Sequence, residues 1–269
     1  MNGPVTIVTG GTFGLGASIT LNLARRGHRV LAFGLASPQV SSTAQGFEDL
    51  RRRLADEGLE HAVVVMEADV SSEADVTRVI ERTLEVFGKV DGLVNNAAIG
   101  PLGTVLDTSP SVADQILAVN IKGVYLMSRA VIPIMRRQGA GAIVNIGSGA
   151  GYGKPNMALY AASKGAMLAL SAAMAYDHFH DHIRVNVAIP GGGGIVSGMS
   201  VGRFGGDEDV FKSRPAAGTA AGRPATGDDL ANAVAFLLSD EAAAVSGTVV
   251  DVGCFAHQGG PVPGRPPAH

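Results

Sequence analysis

Apolar residues in this chain fall into short continuous runs, set between longer stretches in which apolar and polar positions alternate with helical spacing. Seven runs rich in Val and Ile recur, at 5–10, 29–34, 62–70, 90–98, 142–148, 183–190 and 247–253. A strand with one wet face alternates apolar and polar residues, whereas a continuous run marks a strand buried on both faces. The intervening segments predict helices at 17–26, 47–57, 73–87, 159–179 and 228–238. A longer one at 111–138 is either a single helix or a helix with a shift near Asn120. Ser71 and Ser72 stand ahead of the third segment as candidate N-caps. Asp228 and Asp229 open the last one, where acidic residues meet the positive end of the helix dipole. Regular strand–helix alternation predicts an α/β fold, a doubly wound parallel sheet of about seven strands with helices on both faces.

No linker, repeat or charge block interrupts the alternation, so residues 1–255 read as one domain. Residues 191–226 depart from it. They are rich in Gly, Pro and small side chains and have little periodicity, as expected of a lid over a substrate site. The tail at 256–269 is Pro/Gly-rich and reads as extended or mobile. With 46% hydrophobic and 17% charged residues, the chain can bury a large core. Its 21 basic and 24 acidic residues give a net charge of −3, which does not suit a nucleic-acid binder. The basic run Arg51–Arg53 reads as the solvated face of a helix. A lone cysteine, Cys254, excludes a disulfide framework within the chain or a cysteine metal cluster, and implies a reducing, cytoplasmic setting. No basic-then-apolar leader opens the sequence, and the longest apolar stretches, such as 166–176, read as too short to cross a bilayer. The histidines of "DHFHDH" (177–182) are two apart and cannot share one helix face, so this stretch reads as a solvated helix end and no metal is expected.

Two constellations carry chemistry. "TGGTFGLG" (9–16) joins the first strand to the first helix. Bare glycines there let the backbone approach a phosphate, and the helix beyond points free N–H groups at it. Further along, "YAASK" places Tyr160 and Lys164 four apart, on one face of a helix. An ammonium beside a phenol favours the phenolate and lowers its pKa, which suits a tyrosine that exchanges a proton with an alcohol or ketone. Ser148 ends a strand twelve residues earlier, within reach of the same oxygen.

Taken in order over roughly the first 255 residues, these features resemble the short-chain dehydrogenase/reductase family in its compact single-domain branch, with a Rossmann-type sheet. "TGGTFGLG" resembles the family's TGxxxGxG cofactor loop, which places Gly10, Thr12, Phe13, Gly14, Leu15 and Gly16 at the dinucleotide. "ADV" (68–70) resembles its adenine-contacting pair, here Asp69 and Val70. "NNAA" (95–98) resembles NNAG, placing Asn96, Ala97 and Ala98 beside the cofactor. Asn120 in "VNIKG", Ser148, Tyr160 and Lys164 match the family's catalytic tetrad, and "NVAIPG" (186–191) its strand end, with Pro190 and Gly191 at the nicotinamide. The resemblance implies that Tyr160 is the general acid/base and that Ser148 holds the substrate oxygen. It further implies that Lys164 lowers the tyrosine pKa and bonds the nicotinamide ribose, while Asn120 positions a water. The expected reaction is NAD(P)-dependent interconversion of a secondary alcohol and a ketone. A cofactor-binding sensor or scaffold without turnover is the alternative, and an epimerase or dehydratase of the same fold would usually carry a longer C-terminal substrate domain.

The departures from the pattern are specific. Ala98 stands where the family has Gly. After Pro190, "PGGGGIVSG" inserts two glycines, and Ser197 takes the place of a threonine that meets the nicotinamide amide. At the end of the second strand, where an acid reads the adenosine ribose of NAD, this chain has Gly34, and the first acidic residue of the sequence is Glu48. No carboxylate is expected nearby, so NADP is permitted and favoured over NAD. The basic residue that would mark NADP is missing as well, since Phe13 and Leu35 occupy those positions. Small residues along 159–179, including Gly165 and Ala169, resemble the family's interface helix and imply a homo-oligomer, a tetramer rather than a dimer. Met157, Met199, Phe204 and Phe211 are candidates for an apolar substrate wall.

Overall fold

The computed structural model describes residues 3–36, 41–191, 193, 195, 199–200, 207–213 and 219–253. Seven strands, Val5–Thr9 (β1), Arg29–Gly34 (β2), Val63–Glu67 (β3), Gly92–Asn95 (β4), Gly141–Ile146 (β5), Ile183–Pro190 (β6) and Val249–Val252 (β7), form one sheet. Their order is β3-β2-β1-β4-β5-β6-β7, and every neighbouring pair is parallel. The helices include Gly14–Arg25 (α1), Ser41–Asp56 (α2), Glu73–Phe87 (α3), Pro110–Leu117 (α4), Gly123–Gln138 (α5), Ala158–Asp177 (α6), Glu208–Ser213 (α7) and Gly227–Leu238 (α8).

The continuous apolar runs have a direct consequence. Successive side chains of a strand point to opposite faces, so a strand covered on both sides must be apolar at every position. Leu31, Phe33, Leu93, Ile143 and Val185 face one way and pack with Val76 and Val79 of α3, Met127 and Val131 of α5 and Met174 of α6. Val8, Ala32, Val94, Val144 and Ala188 face the other way, against Ile19 and Leu23 of α1, Leu50 and Leu54 of α2, and Leu230 and Val234 of α8. β1 pairs with β2 on one side and β4 on the other, so the winding reverses there. The carboxyl ends of these strands flank the crevice in which such sheets bind ligands.

Several boundaries differ from the sequence pattern for physical reasons. β3 and β4 end at Glu67 and Asn95, short of 70 and 98, and the residues beyond leave the sheet to line its C-terminal edge. α2 begins at Ser41 rather than near 47, because its first turns are polar and carry no apolar period to read. It crosses the glycine turn at Gly46, where a Cβ would lie 3.0 Å from the Phe13 side chain. The 111–138 segment is two helices joined through a π-turn, Ala118–Lys122, which places the shift at Asn120. Ser72 caps α3 by accepting the Asp75 N–H at 3.3 Å. Thr226 and Asp229 form a reciprocal capping box at the start of α8, and Arg223 grips the Asp229 carboxylate through both guanidinium nitrogens at 2.7 and 2.8 Å.

The helical runs 110–138 and 158–177, of 29 and 20 residues, are long and apolar enough to cross a membrane by length and composition. That corrects the sequence reading, which counted only unbroken apolar stretches. In this fold α5 and α6 lie on the sheet, with Met127, Val131 and Met135 of one and Met167 and Met174 of the other buried. The "DHFHDH" stretch closes α6, where His178 Nδ1 and Arg136 Nε both meet the Asp181 carboxylate, at 2.9 and 3.0 Å.

Candidate functional site

The glycine turn sits at the carboxyl end of β1 and is tied down from three sides. Thr9 Oγ1 accepts the N–H groups of Asn96 and Ala97 at 3.0 and 2.9 Å. The Asn96 amide donates to the carbonyls of Thr9 and Gly10 at 3.1 and 3.0 Å. Thr20 Oγ1 donates to the Gly11 carbonyl at 2.9 Å, and the Gly11 N–H reaches the Phe33 carbonyl of β2. Gly10 and Gly14 adopt positive φ, +60° and +52°, a region that side chains disfavour. At Gly16 a Cβ would come within 1.9 Å of the Gly10 carbonyl oxygen. Phe13 precedes α1 in extended conformation and no side-chain cap is made to the first turn, so its N–H groups face outward. A bare cradle with an uncapped helix N-terminus fits a pyrophosphate.

The second half of the site converges from β5, α6 and the π-turn. Lys164 is only 2% exposed, its ammonium lies 5.9 Å from the centre of the Tyr160 ring, and it donates to the Ile146 carbonyl at 2.7 Å. Burial pushes the Lys164 pKa down to about 8. Tyr160 is buried too. Ser148, at the end of β5, accepts the Ala150 N–H at 3.1 Å and so opens the short 3-10 turn Gly149–Tyr152. That turn rests directly on α6, since a Cβ at Gly151 would stand 3.0 Å from the Lys164 carbonyl carbon and one at Gly165 would stand 3.0 Å from the Gly151 oxygen. Gly165 therefore serves contact within the chain, unlike the exposed Ala162, Ala169, Ala172 and Ala173 of the same helix.

Asn120 is fully buried and both ends of its amide are engaged. Its Oδ1 accepts the Ile99 N–H at 2.9 Å, and its Nδ2 donates to the Ile99 carbonyl at 2.8 Å and to Ser163 Oγ at 2.9 Å. The side chain thus clamps the loop after β4 to α6, next to Lys164. Beyond that clamp, Gly100 fits between two site residues. A Cβ there would lie 2.8 Å from Tyr160 Cδ2 and 2.7 Å from Met199 Sδ. Met199 is thereby placed at the acid/base candidate, and Phe211 is buried. Phe204 and Ser197 lie outside the described residues.

At the adenine end, the side chains of the predicted pair face inward. Asp69 Oδ1 accepts both the N–H and the hydroxyl of Ser71, at 2.8 and 2.7 Å. Val70 is buried against Gly123, where a Cβ would meet its Cγ1 at 2.9 Å. Contact with an adenine would then fall to the backbone of this pair. Pro190 ends β6 and Gly191 follows it, beside β5, beyond whose last residue Ser148 lies. The sequence reading missed one group altogether. No carboxylate was expected beside Gly34, yet Glu67 Oε1 accepts the Ala36 N–H at 3.2 Å, just beyond the end of β2. The parallel ladder pairs Gly34 with Glu67, a neighbour that no local pattern reveals.

Comparison with known proteins bears on the family and the fold. Residues 11–254 match a family model described as enoyl-(acyl carrier protein) reductase. A 2-(S)-hydroxypropyl-CoM dehydrogenase 3 from Xanthobacter autotrophicus is 36% identical, over 95% of each chain. A cyclopentanol dehydrogenase from a Comamonas species is also 36% identical, over 96% of this chain and 99% of its own. The crystal structure of 3-ketoacyl-(acyl-carrier-protein) reductase from Brucella melitensis, complexed with NADH, superposes with a TM-score of 0.77 at 32% identity, over 95% of this chain and 98% of that one. With its parallel sheet, glycine turn and Tyr160–Lys164 pair, the chain belongs to the short-chain dehydrogenase/reductase family and is an oxidoreductase.

Proposed function

We propose that the protein interconverts a secondary alcohol and a ketone, with Tyr160 as the proton donor or acceptor. The observation that carries this reading is the position of Lys164. An incidental Tyr/Lys pair four apart on a surface helix would leave its ammonium in water. Here the ammonium is buried beneath Tyr160 with a backbone carbonyl as its partner. Burying a cation is costly, and perturbed buried charges cluster at functional sites. In this reading Lys164 keeps the Tyr160 phenol acidic and bonds the nicotinamide ribose, and Ser148 holds the substrate oxygen in line with it. Asn120 supports a water of the proton relay, and with its amide engaged it does so through its backbone and by fixing the 99–100 loop. A nicotinamide cofactor, when bound, supplies or accepts the hydride. The residues that would hold it are Gly10 and Thr12–Gly16, then Gly34, Asp69 and Val70, Asn96–Ala98, and finally Pro190, Gly191 and Ser197 with the Tyr160–Lys164 pair.

The same reading makes residues 1–255 one catalytic domain; much of the 191–226 lid and the whole 256–269 tail expected from the sequence lie outside the described residues. It places the protein in the cytoplasm as a homo-oligomer, a tetramer rather than a dimer, assembled through the exposed small residues of α6. NADP was favoured on the sequence because Gly34 offers no charge; the carboxylate of Glu67 removes that premise. The test is a panel of ketones and secondary alcohols with both cofactors, followed at the nicotinamide absorbance band. Turnover that disappears in Tyr160→Phe supports the proposal. Cofactor binding without turnover on any member of the panel would favour the idle sensor instead.

A further inference from the structure

Gly34 and Glu67 are register partners on adjacent parallel strands, so their side-chain positions point to the same face of the sheet. Gly34 carries no side chain, and Thr12 of the glycine turn closes in on its position, with Oγ1 2.8 Å from where a Cβ at Gly34 would stand. Glu67 enters from the neighbouring strand, and its Oε1 bond to the Ala36 N–H carries the carboxylate across the end of β2. That bond occupies one carboxylate oxygen and leaves the other able to accept. The side chain is solvent-exposed. Among the described residues a cation, Arg78, lies at this edge. Its guanidinium touches the Glu67 carbonyl at 3.3 Å, and its charge is met by Asp75 at 2.9 Å. The end of β2 therefore presents net negative charge beside the phosphate-binding turn.

We infer that Glu67 reads the adenosine ribose and selects NAD(H) over NADP(H), in place of the acid that β2 itself lacks. This inference rests on the dehydrogenase reading above. The carboxylate accepts hydrogen bonds from a free ribose diol, and its charge opposes a 2′-phosphate at the same position. A site built to bond a hydroxyl discriminates strongly against an analogue that replaces it.

The experiment is a direct binding titration, by nicotinamide fluorescence, of NADH and NADPH into the wild-type protein, Glu67→Gln and Glu67→Lys, at fixed ionic strength. The wild type is expected to bind NADH at least tenfold more tightly than NADPH. Glu67→Gln keeps the shape and the Ala36 bond but drops the charge. It should narrow that ratio at least tenfold, chiefly by tightening NADPH, and Glu67→Lys should invert it. A wild type that prefers NADPH, or a ratio that ignores residue 67 in both variants, would overturn the role of Glu67 and leave the dehydrogenase reading standing. Failure of both dinucleotides to bind any of the three proteins would overturn both.

Discussion

In the proposed reaction the chemistry turns on Tyr160 and Lys164. Tyr160→Phe removes only the phenolic hydroxyl, so kcat should fall by well over tenfold, more than about 1.4 kcal/mol of barrier, while NADH still binds. A variant that retains a tenth of wild-type kcat would exclude Tyr160 as the acid/base. For Lys164, burial sets the expectation. Its pKa of about 8 means that the ammonium is charged below that pH and lost above it. Tyr160 is supported by the charge only in the lower range. The pH profile of kcat/KM, which reports groups of the free enzyme, should carry an inflection near pH 8 that Lys164→Met abolishes. Both residues were legible in the sequence, because an i,i+4 pair on a helix is a local fact. The uses of Asn120 and Glu67 were not. Asn120 bonds to Ile99 and Ser163, and Glu67 to a backbone N–H 31 residues away. Gly34→Asp, the substitution the sequence suggests for installing NAD preference, would crowd Thr12 and add a second carboxylate where Glu67 already reaches.

Among the elements, two contacts decide how the site is held. The first is the approach of the Gly149–Tyr152 turn to α6 through Gly151 and Gly165. Gly165→Val places branched carbons against backbone that cannot give way. It should cost about 1–3 kcal/mol in stability. It should also lower kcat by moving Ser148 away from Tyr160, with NADH affinity little changed because the glycine turn lies elsewhere. Equal losses of kcat and NADH affinity would show instead that the whole site had been disturbed. The second contact is the capping box of α8. The Arg223 side chain first, then the Thr226 N–H, holds the Asp229 carboxyl well below the usual range. A depressed carboxylate contributes stability above its unfolded pKa and loses it as pH falls through the folded value. Asp229→Asn should therefore destabilise the protein to urea at pH 7, and its difference from wild type should begin to shrink below about pH 4. Helix α3 and its Ser72 cap could be read residue by residue, since caps and amphipathic periods are local. The start of α2 could not, because its place over Phe13 is set by tertiary contact at Gly46.

For the whole molecule, the exposed face of α6 bears on assembly. Ala162, Ala169, Ala172 and Ala173 are exposed, and beyond them Tyr176 is 89% exposed. A face of small side chains that ends in a bare tyrosine suits close approach by a second copy related by two-fold symmetry. Ala169→Arg puts a long cation at its centre, and sedimentation velocity should then show a smaller species than the wild type. A wild type that sediments as a monomer would remove this face from consideration as an interface. The sequence by itself determined the seven strands, six helical segments, the glycine turn and the pairing of Tyr160 with Lys164. Each depends on residues within a few positions of one another, and buried strands on both faces leave an unbroken apolar run. Tertiary structure alone decided which carboxylate stands at the end of β2, what holds Asn120, how far Lys164 is desolvated and which glycine of α6 faces inward. Those outcomes depend on strand register and on the distance of closest approach between distant segments, and a one-dimensional pattern contains neither.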